Sequence, residues 1–253
     1  GAYAATFAAM QLGFDFLSAT AFAMLLSALI SLALALPALR VRGEYFVAAS
    51  LGLQMLAITV FTEWKSVTGG IGGLTNIPAA SILGFTFTEP MHYLVLSLVC
   101  LLAIILVIRA LVRSSFGRSL KAIRDDEAAA SAFGKKVAVI KTMAVVVSSV
   151  LAAIAGSLYA SYLSFINVES FVLETSIQLM AMVIIGGTAT LFGPVIGAVV
   201  IILLPAGLSY IPHLPATEIG SIQQIIYGLA MVLLMIFRPG GLWGFQEKPK
   251  GEA

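Results

Sequence analysis

The sequence predicts an all-α, polytopic membrane protein of about eight transmembrane helices, with one re-entrant or broken segment and one long charged loop. Three observations carry this. Of the 253 residues, 60% are hydrophobic and only 10% charged, against roughly 45–50% and 25% in soluble domains. The apolar runs are continuous rather than alternating, and lipid admits only helices or closed barrels, so helices follow. The few charges gather in short connections between the runs.

In chain order, residues 2–12 are apolar but shorter than the roughly 17 needed to cross a bilayer. They read as the tail of a helix whose start is missing. The opening G-A-Y-A-A-T-F-A-A-M has neither an initiator Met nor a basic region, so it does not read as a signal peptide, and a truncated or processed start is expected. Gln11, Gly13 and Asp15 mark an exit into water. Ser18–Leu36 is a span ended by Pro37 and followed by Arg40, Arg42 and Glu44, and Tyr45–Thr62 is the next, leaving at Glu63, Trp64 and Lys65.

The stretch T-G-G-I-G-G-L-T-N-I-P is too glycine-rich for a span and too apolar for an ordinary loop. Non-helical backbone at membrane depth is tolerated only where it is buried in protein or lines a wet cavity. Thr68, Gly69, Gly70, Gly72, Gly73, Thr75 and Asn76 are therefore candidates for a solute path, and a glycine-rich external loop is the other reading. Met91–Val112 is a span. Val137–Leu163 is a long one whose Ser148, Ser149, Ala152, Ala153, Ala155, Gly156, Ser157 and Ala160 suit close helix contact. Thr175–Ile185 is cut by G-G-T-A-T-L-F-G-P before Val195–Leu208 crosses back, giving two helices or one broken one. Gly186 and Gly187 join the path candidates on that break. Ser221–Phe237 is the last span, and residues 238–253 form a polar tail.

Between the spans lies the long charged stretch Arg113–Lys141. Phe116, Leu120 and Ile123 fall at i, i+4 and i+7, so a short helix there carries one apolar stripe on a basic body, the pattern of a helix that docks in a partner's groove. A solvated loop obeying the positive-inside rule fits as well. If this stretch is cytoplasmic, parity places Arg40, Arg42, Arg109, Arg238, Lys248 and Lys250 on its side and leaves only Lys65 opposite.

Several chemistries find no footing. The net charge of +2 comes from loop cations rather than a nucleic-acid face, and the single Cys100 permits no intrachain disulfide. There is no G-x-x-x-x-G-K-[ST] loop, so ATP is not hydrolysed by the P-loop route. His92 and His213, near Glu89 and Glu218, match no zinc spacing, and no nucleophilic set assembles. The spans hold no mid-membrane carboxylate that would mark a proton relay. Their Gln54, Gln178, Gln223 and Gln224 either touch a solute or bond neighbouring helices. Tyr45, Trp64, Tyr93, Tyr210 and Trp243 sit where interfacial aromatic anchors are expected. No catalytic residue, metal or cofactor is expected.

The runs L-P-A-L-R-V-R-G-E-Y-F, T-G-G-I-G-G-L-T-N-I-P, F-G-R-S-L-K-A-I-R-D-D-E-A-A-A-S-A-F-G, A-A-I-A-G-S-L-Y-A, I-G-G-T-A-T-L-F-G-P-V-I-G-A and F-R-P-G-G-L-W-G occur in this order. Together they resemble the LivM-type permeases of bacterial branched-chain amino acid ABC importers, over essentially the whole chain. The resemblance implies one permease domain (1–253) in the bacterial inner membrane, pairing with a homologous LivH-type permease, two cytoplasmic ATPase subunits and a periplasmic binding protein. It implies a cytoplasmic coupling loop at 113–137, with Gly117–Gly134 related to the E-A-A loop of ABC permeases through Glu127, Ala128, Ala129 and Gly134. Four residues separate Ala129 from Gly134, where the general motif has three. Polar contact with the ATPase is then expected from Arg118, Arg124 and Glu127, and apolar anchoring from Phe116, Leu120 and Ile123. Relatives with this pattern import leucine, isoleucine and valine, and close cousins carry urea, short-chain amides or aromatic acids. A self-contained channel for a small neutral solute and a membrane scaffold are the readings from other classes.

Overall fold

A computed structural model describes residues 1–38, 44–82, 84–188 and 190–209, with isolated positions between 222 and 233. The chain is an all-α membrane protein. Four stretches among the described residues are long and apolar enough to cross a bilayer: Phe16–Ala35, Pro90–Arg113, Val137–Leu163 and Val168–Gly186. Outside the described residues lie Arg40, Arg42, Tyr210, His213, Glu218, Gln223, Gln224, Arg238, Trp243, the tail 238–253 and most of the last span. The chain forms two compact units, Gly1–Ser170 and Phe171–Ala253.

The first unit holds α1 (Ala2–Gln11), α2 (Phe16–Ala38), α3 (Glu44–Glu63), α4 (Lys65–Thr68) and a 3-10 turn at Gly70–Gly72. Then come β1 (Leu74–Thr75), β2 (Ser81–Ile82), β3 (Phe85–Thr86), α5 (Pro90–Arg113), α6 (Ser115–Asp125), α7 (Glu127–Ala132), α8 (Val137–Leu163) and β4 (Phe165–Ile166). At 1.5 Å per residue α5 and α8 are about 36 and 40 Å long, enough to cross the roughly 30 Å hydrocarbon core. Pro90 opens α5 at a position where its missing N–H costs nothing.

The core of this unit is made of small side chains. Thr20 of α2 lies beside Ser157 of α8, and Ala23 clusters with Ala153, so the two helices run antiparallel. Lipid supplies no hydrophobic drive between helices, so close backbone approach and interhelical hydrogen bonds hold them. Thr20 Oγ1 donates to Ser157 Oγ at 3.0 Å, and Ser157 passes its own proton to the Ile154 carbonyl at 2.8 Å. Helix α1 lies in the groove of this pair. A Cβ at Gly156 would come within 2.7 Å of the Ala2 nitrogen, so only glycine permits the approach. Ser148 and Ser149 instead donate to the carbonyls of Ala144 and Val145 in their own helix.

In the second unit α9 (Leu173–Gly186) and α10 (Gly193–Ser209) form an antiparallel hairpin. A Cβ at Gly186 would strike Gly193, and one at Gly197 would strike the Met182 carbonyl, so the two backbones touch at two levels. The interrupted stretch is therefore two helices rather than one with a kink. Thr190 caps α10, its Oγ1 accepting from Gly193 N at 3.1 Å while donating to the Gly187 carbonyl at 2.9 Å.

Candidate functional site

The charged stretch is built as two short helices projecting from the ends of α5 and α8. Each turn has a cap that its sequence dictates. Ser114 caps α6, its hydroxyl donating to the Leu111 carbonyl at 2.6 Å and accepting from Gly117 N at 3.4 Å. A Cβ at Gly117 would collide with the Leu111 and Val112 carbonyls, so glycine is what lets α6 fold tightly back on α5. Asp126 adopts an extended conformation (φ −156°, ψ 109°) that breaks the helix, and its Oδ1 caps α7 by accepting from Ala129 N at 2.9 Å.

Gly134, at φ 77°, ends α7. Its N–H reaches the Ser131 carbonyl at 2.9 Å and Lys135 N reaches Ala130 at 3.1 Å, the paired bonds of a Schellman ending that needs a left-handed residue at this place. Gly134 is thus set by the helix it terminates.

The expected contact residues divide by exposure. Ile123 is 7% exposed, Gly117 is buried, and Phe116 and Leu120 are half-buried. The stripe that reads as a docking face is thus largely covered by the chain itself, where α6 lies against α5, α7 and α8. Arg118, Lys121 and Arg124 are exposed. Arg118 Nη1 donates to the Arg113 carbonyl at 3.0 Å, and Arg124 pairs with Asp125 at 2.8 Å. Glu127 pairs with Lys141 of α8 at 2.6 Å, which ties α7 to the long span. Ala128 and Ala129 lie on α7 behind it, Ala128 exposed and Ala129 half-buried.

Sequence reasoning passed over Phe133. This ring, between α7 and Gly134, is 86% exposed, the highest value among the large hydrophobics of the described residues. Lys135 and Lys136 follow it, both exposed.

At the opposite end of the unit the glycine-rich segment is a folded cover. Gly69, Gly70 and Gly73 have φ of 72°, 64° and 70°, open to glycine at little cost. Leu74 and Thr75 pair with Ile166 and Phe165, and a Cβ at Gly73 would meet the Ile166 carbonyl. Thr68 is 2% exposed. Its hydroxyl lies 2.8 Å from the Trp64 carbonyl and accepts from Gly70 N at 3.2 Å, so it latches the turn. Gly72, Thr75 and Asn76 are exposed.

Tyr93, read from the sequence as an interfacial anchor, is 8% exposed. Its hydroxyl accepts from Ala80 N and donates to the Ser161 carbonyl, each at 2.9 Å. It fastens the cover to α8, and the anchor reading is corrected. Trp64 is exposed.

None of the seven path candidates in this segment lines the small cavity beneath the cover. That cavity is walled by α1, α2, residues 77–81 and the end of α8. Gly186 and Gly187 lie in the second unit, at the buried turn of the α9–α10 hairpin. No cluster among the described residues has the ligands to hold a metal ion.

The sequence family described as branched-chain amino acid transport system / permease component matches residues 1–235. The chain is 30% identical to the high-affinity branched-chain amino acid transport system permease protein LivM of Salmonella typhimurium, over 96% of this chain and 60% of that protein. It is 29% identical to the LivM protein of Escherichia coli over the same shares. It is 28% identical, over 74% of this chain and 54% of that protein, to the autoinducer 2 import system permease protein LsrC of Photorhabdus laumondii. The chain spans about 60% of the length of the two LivM relatives. No solved structure matches.

Proposed function

The chain belongs to the family of branched-chain amino acid transport system permease components, and from that membership we propose that it is a transmembrane subunit of an ATP-binding-cassette importer. Its cargo in this reading is branched-chain or other hydrophobic amino acids. The chain provides half of an alternating-access pathway in a bacterial inner membrane. The other half comes from a homologous permease, the energy from two cytoplasmic ATPase subunits, and the solute from a periplasmic binding protein. The relative named for autoinducer 2 import is consistent with cargo being chosen largely by the binding protein.

The observation that carries the coupling role is the capped α6–α7 hairpin. A solvated loop has no need of two N-caps and a left-handed ending, whereas a lever does. ATP-driven movement of the docked ATPases would push α7, and the Glu127–Lys141 pair would pass that push to α8. Exposed Arg118, Lys121, Lys135 and Lys136 meet an acidic rim on the ATPase, and Phe133 supplies the apolar anchor.

The test is uptake of labelled leucine by proteoliposomes holding the whole importer, with binding protein and ATP. Uptake is expected only when all partners and ATP are present, and E127Q should hydrolyse ATP while importing little. Flux through the purified permease alone would overturn the reading in favour of a channel.

A further inference from the structure

Arg109 and Arg113 are exposed on α5, four residues apart, so their Cβ atoms lie about 5–6 Å from each other on one face of the helix. Neither makes an ion pair among the described residues. The acids of the neighbouring hairpin are engaged elsewhere: Asp125 with Arg124, Glu127 with Lys141, and Asp126 as the cap of α7. Arg118, whose Nη1 donates to the Arg113 carbonyl at 3.0 Å, brings a third guanidinium to the same helix end.

A cation in the last turn of a helix answers the negative end of its dipole, which accounts for Arg113. Arg109 is one turn deeper, about 6 Å nearer the middle of the bilayer. A guanidinium stays charged there and is costly without a partner. Beyond it the same stripe continues as Leu106, Leu102 and Leu98, all exposed and spaced by four. The leucines alone mean only that lipid is near. Guanidiniums on their stripe add a demand for negative charge at one end of an apolar track. A water-soluble partner cannot reach down that track, and a second spanning helix packs best on small side chains, as in the α2–α8 pair, rather than on three leucines. The partner with an anionic head and an apolar tail is a phospholipid.

We propose that the hairpin end of α5 is a binding site for an anionic phospholipid, with Arg109 and Arg113 holding its phosphate while an acyl chain lies along Leu106, Leu102 and Leu98. The site goes beyond the transport reading and holds whatever the cargo.

The test is native mass spectrometry of the detergent-purified protein titrated with phosphatidylglycerol or with phosphatidylcholine of the same acyl chains. Both carry the phosphate, and only the first is net anionic. The parent should retain phosphatidylglycerol in preference by about 5- to 25-fold, since a Lys or Arg beside an anionic surface gives about 5-fold each. R109Q/R113Q should bring the ratio to within about twofold of one. K121Q, which removes a charge from α6 instead, should keep the parent ratio. Should the double variant fail to fold, R109Q and R113Q are measured singly, and each should at least halve the ratio. Glycerol 3-phosphate, the head without the chains, should not displace bound phosphatidylglycerol at equal concentration. Equal retention of the two lipids by the parent or an unchanged ratio in the arginine variants would overturn the site. So would a loss as large in K121Q, which marks a diffuse basic surface, or displacement by glycerol 3-phosphate, which marks a site for any anion. Loss of ATPase binding in R109Q/R113Q with the lipid ratio intact would overturn it too, giving the pair to the ATPase surface.

Discussion

Truncating Phe133 to alanine separates the docking surface from the internal packing of the coupling hairpin. An aromatic side chain buries about 150–250 Å² when enclosed, and this ring is 86% exposed, so about 170 Å² is open to a partner. At about 25 cal/mol per Å² full burial is worth roughly 4 kcal/mol. Alanine retains part of the contact, and aromatic anchors lose about 2 kcal/mol or more on truncation. The expected loss is therefore about 2–3 kcal/mol, or roughly 30- to 150-fold in ATPase affinity. The assay is binding of the purified ATPase to immobilised permease in detergent, with the unfolding midpoint of the permease followed in parallel. F133A should leave that midpoint nearly unchanged, since exposed positions away from special features shift stability by about 0.5 kcal/mol or less. The contrast is I123A, where the side chain is 7% exposed and truncation costs the permease itself about 2–5 kcal/mol. If F133A binds the ATPase within twofold of the parent, the anchor assignment fails, whatever the fate of I123A.

Y93F removes a hydroxyl that serves both Ala80 N and the Ser161 carbonyl. It should cost about 1–3 kcal/mol of stability and speed amide exchange at Ala80, which mass spectrometry would resolve. G197A drives a methyl into the Met182 carbonyl, and overpacking of this kind costs about 1–3 kcal/mol. A disulfide engineered across α9 and α10 should form more slowly in that variant. G134A forces a Cβ into the left-handed region at φ 77°, with open space around it. The cost should be near 1 kcal/mol, smaller for G134N because Asn tolerates that conformation, and the order of unfolding midpoints checks it.

The spans were legible because lipid imposes one rule on every residue. Val137–Leu163 is bounded as the hydropathy and its flanking charges require, and α5 differs from its expected limits by one residue at each end. Caps were legible in principle for the same local reason: Ser114, Asp126 and Gly134 carry their geometry in their own side chains or lack of one. What the sequence hides is the identity of a partner. The 3.6-residue stripe of Phe116, Leu120 and Ile123 has the same pattern whether its groove belongs to this chain or to another, and here much of it is satisfied within. The pairing of Leu74–Thr75 with Phe165–Ile166 joins segments about ninety residues apart and leaves no periodic trace in stretches only two residues long. Phe133 is the reverse case. Within a span an exposed apolar side chain says only that lipid surrounds it, so the many exposed leucines of α2 and α5 carry no information. Phe133 lies beyond the ends of both flanking spans, with Lys135 and Lys136 between it and α8. Its ring therefore has no solvent of its own kind there, and that mismatch, rather than any periodicity, marks it as a contact awaiting its other half.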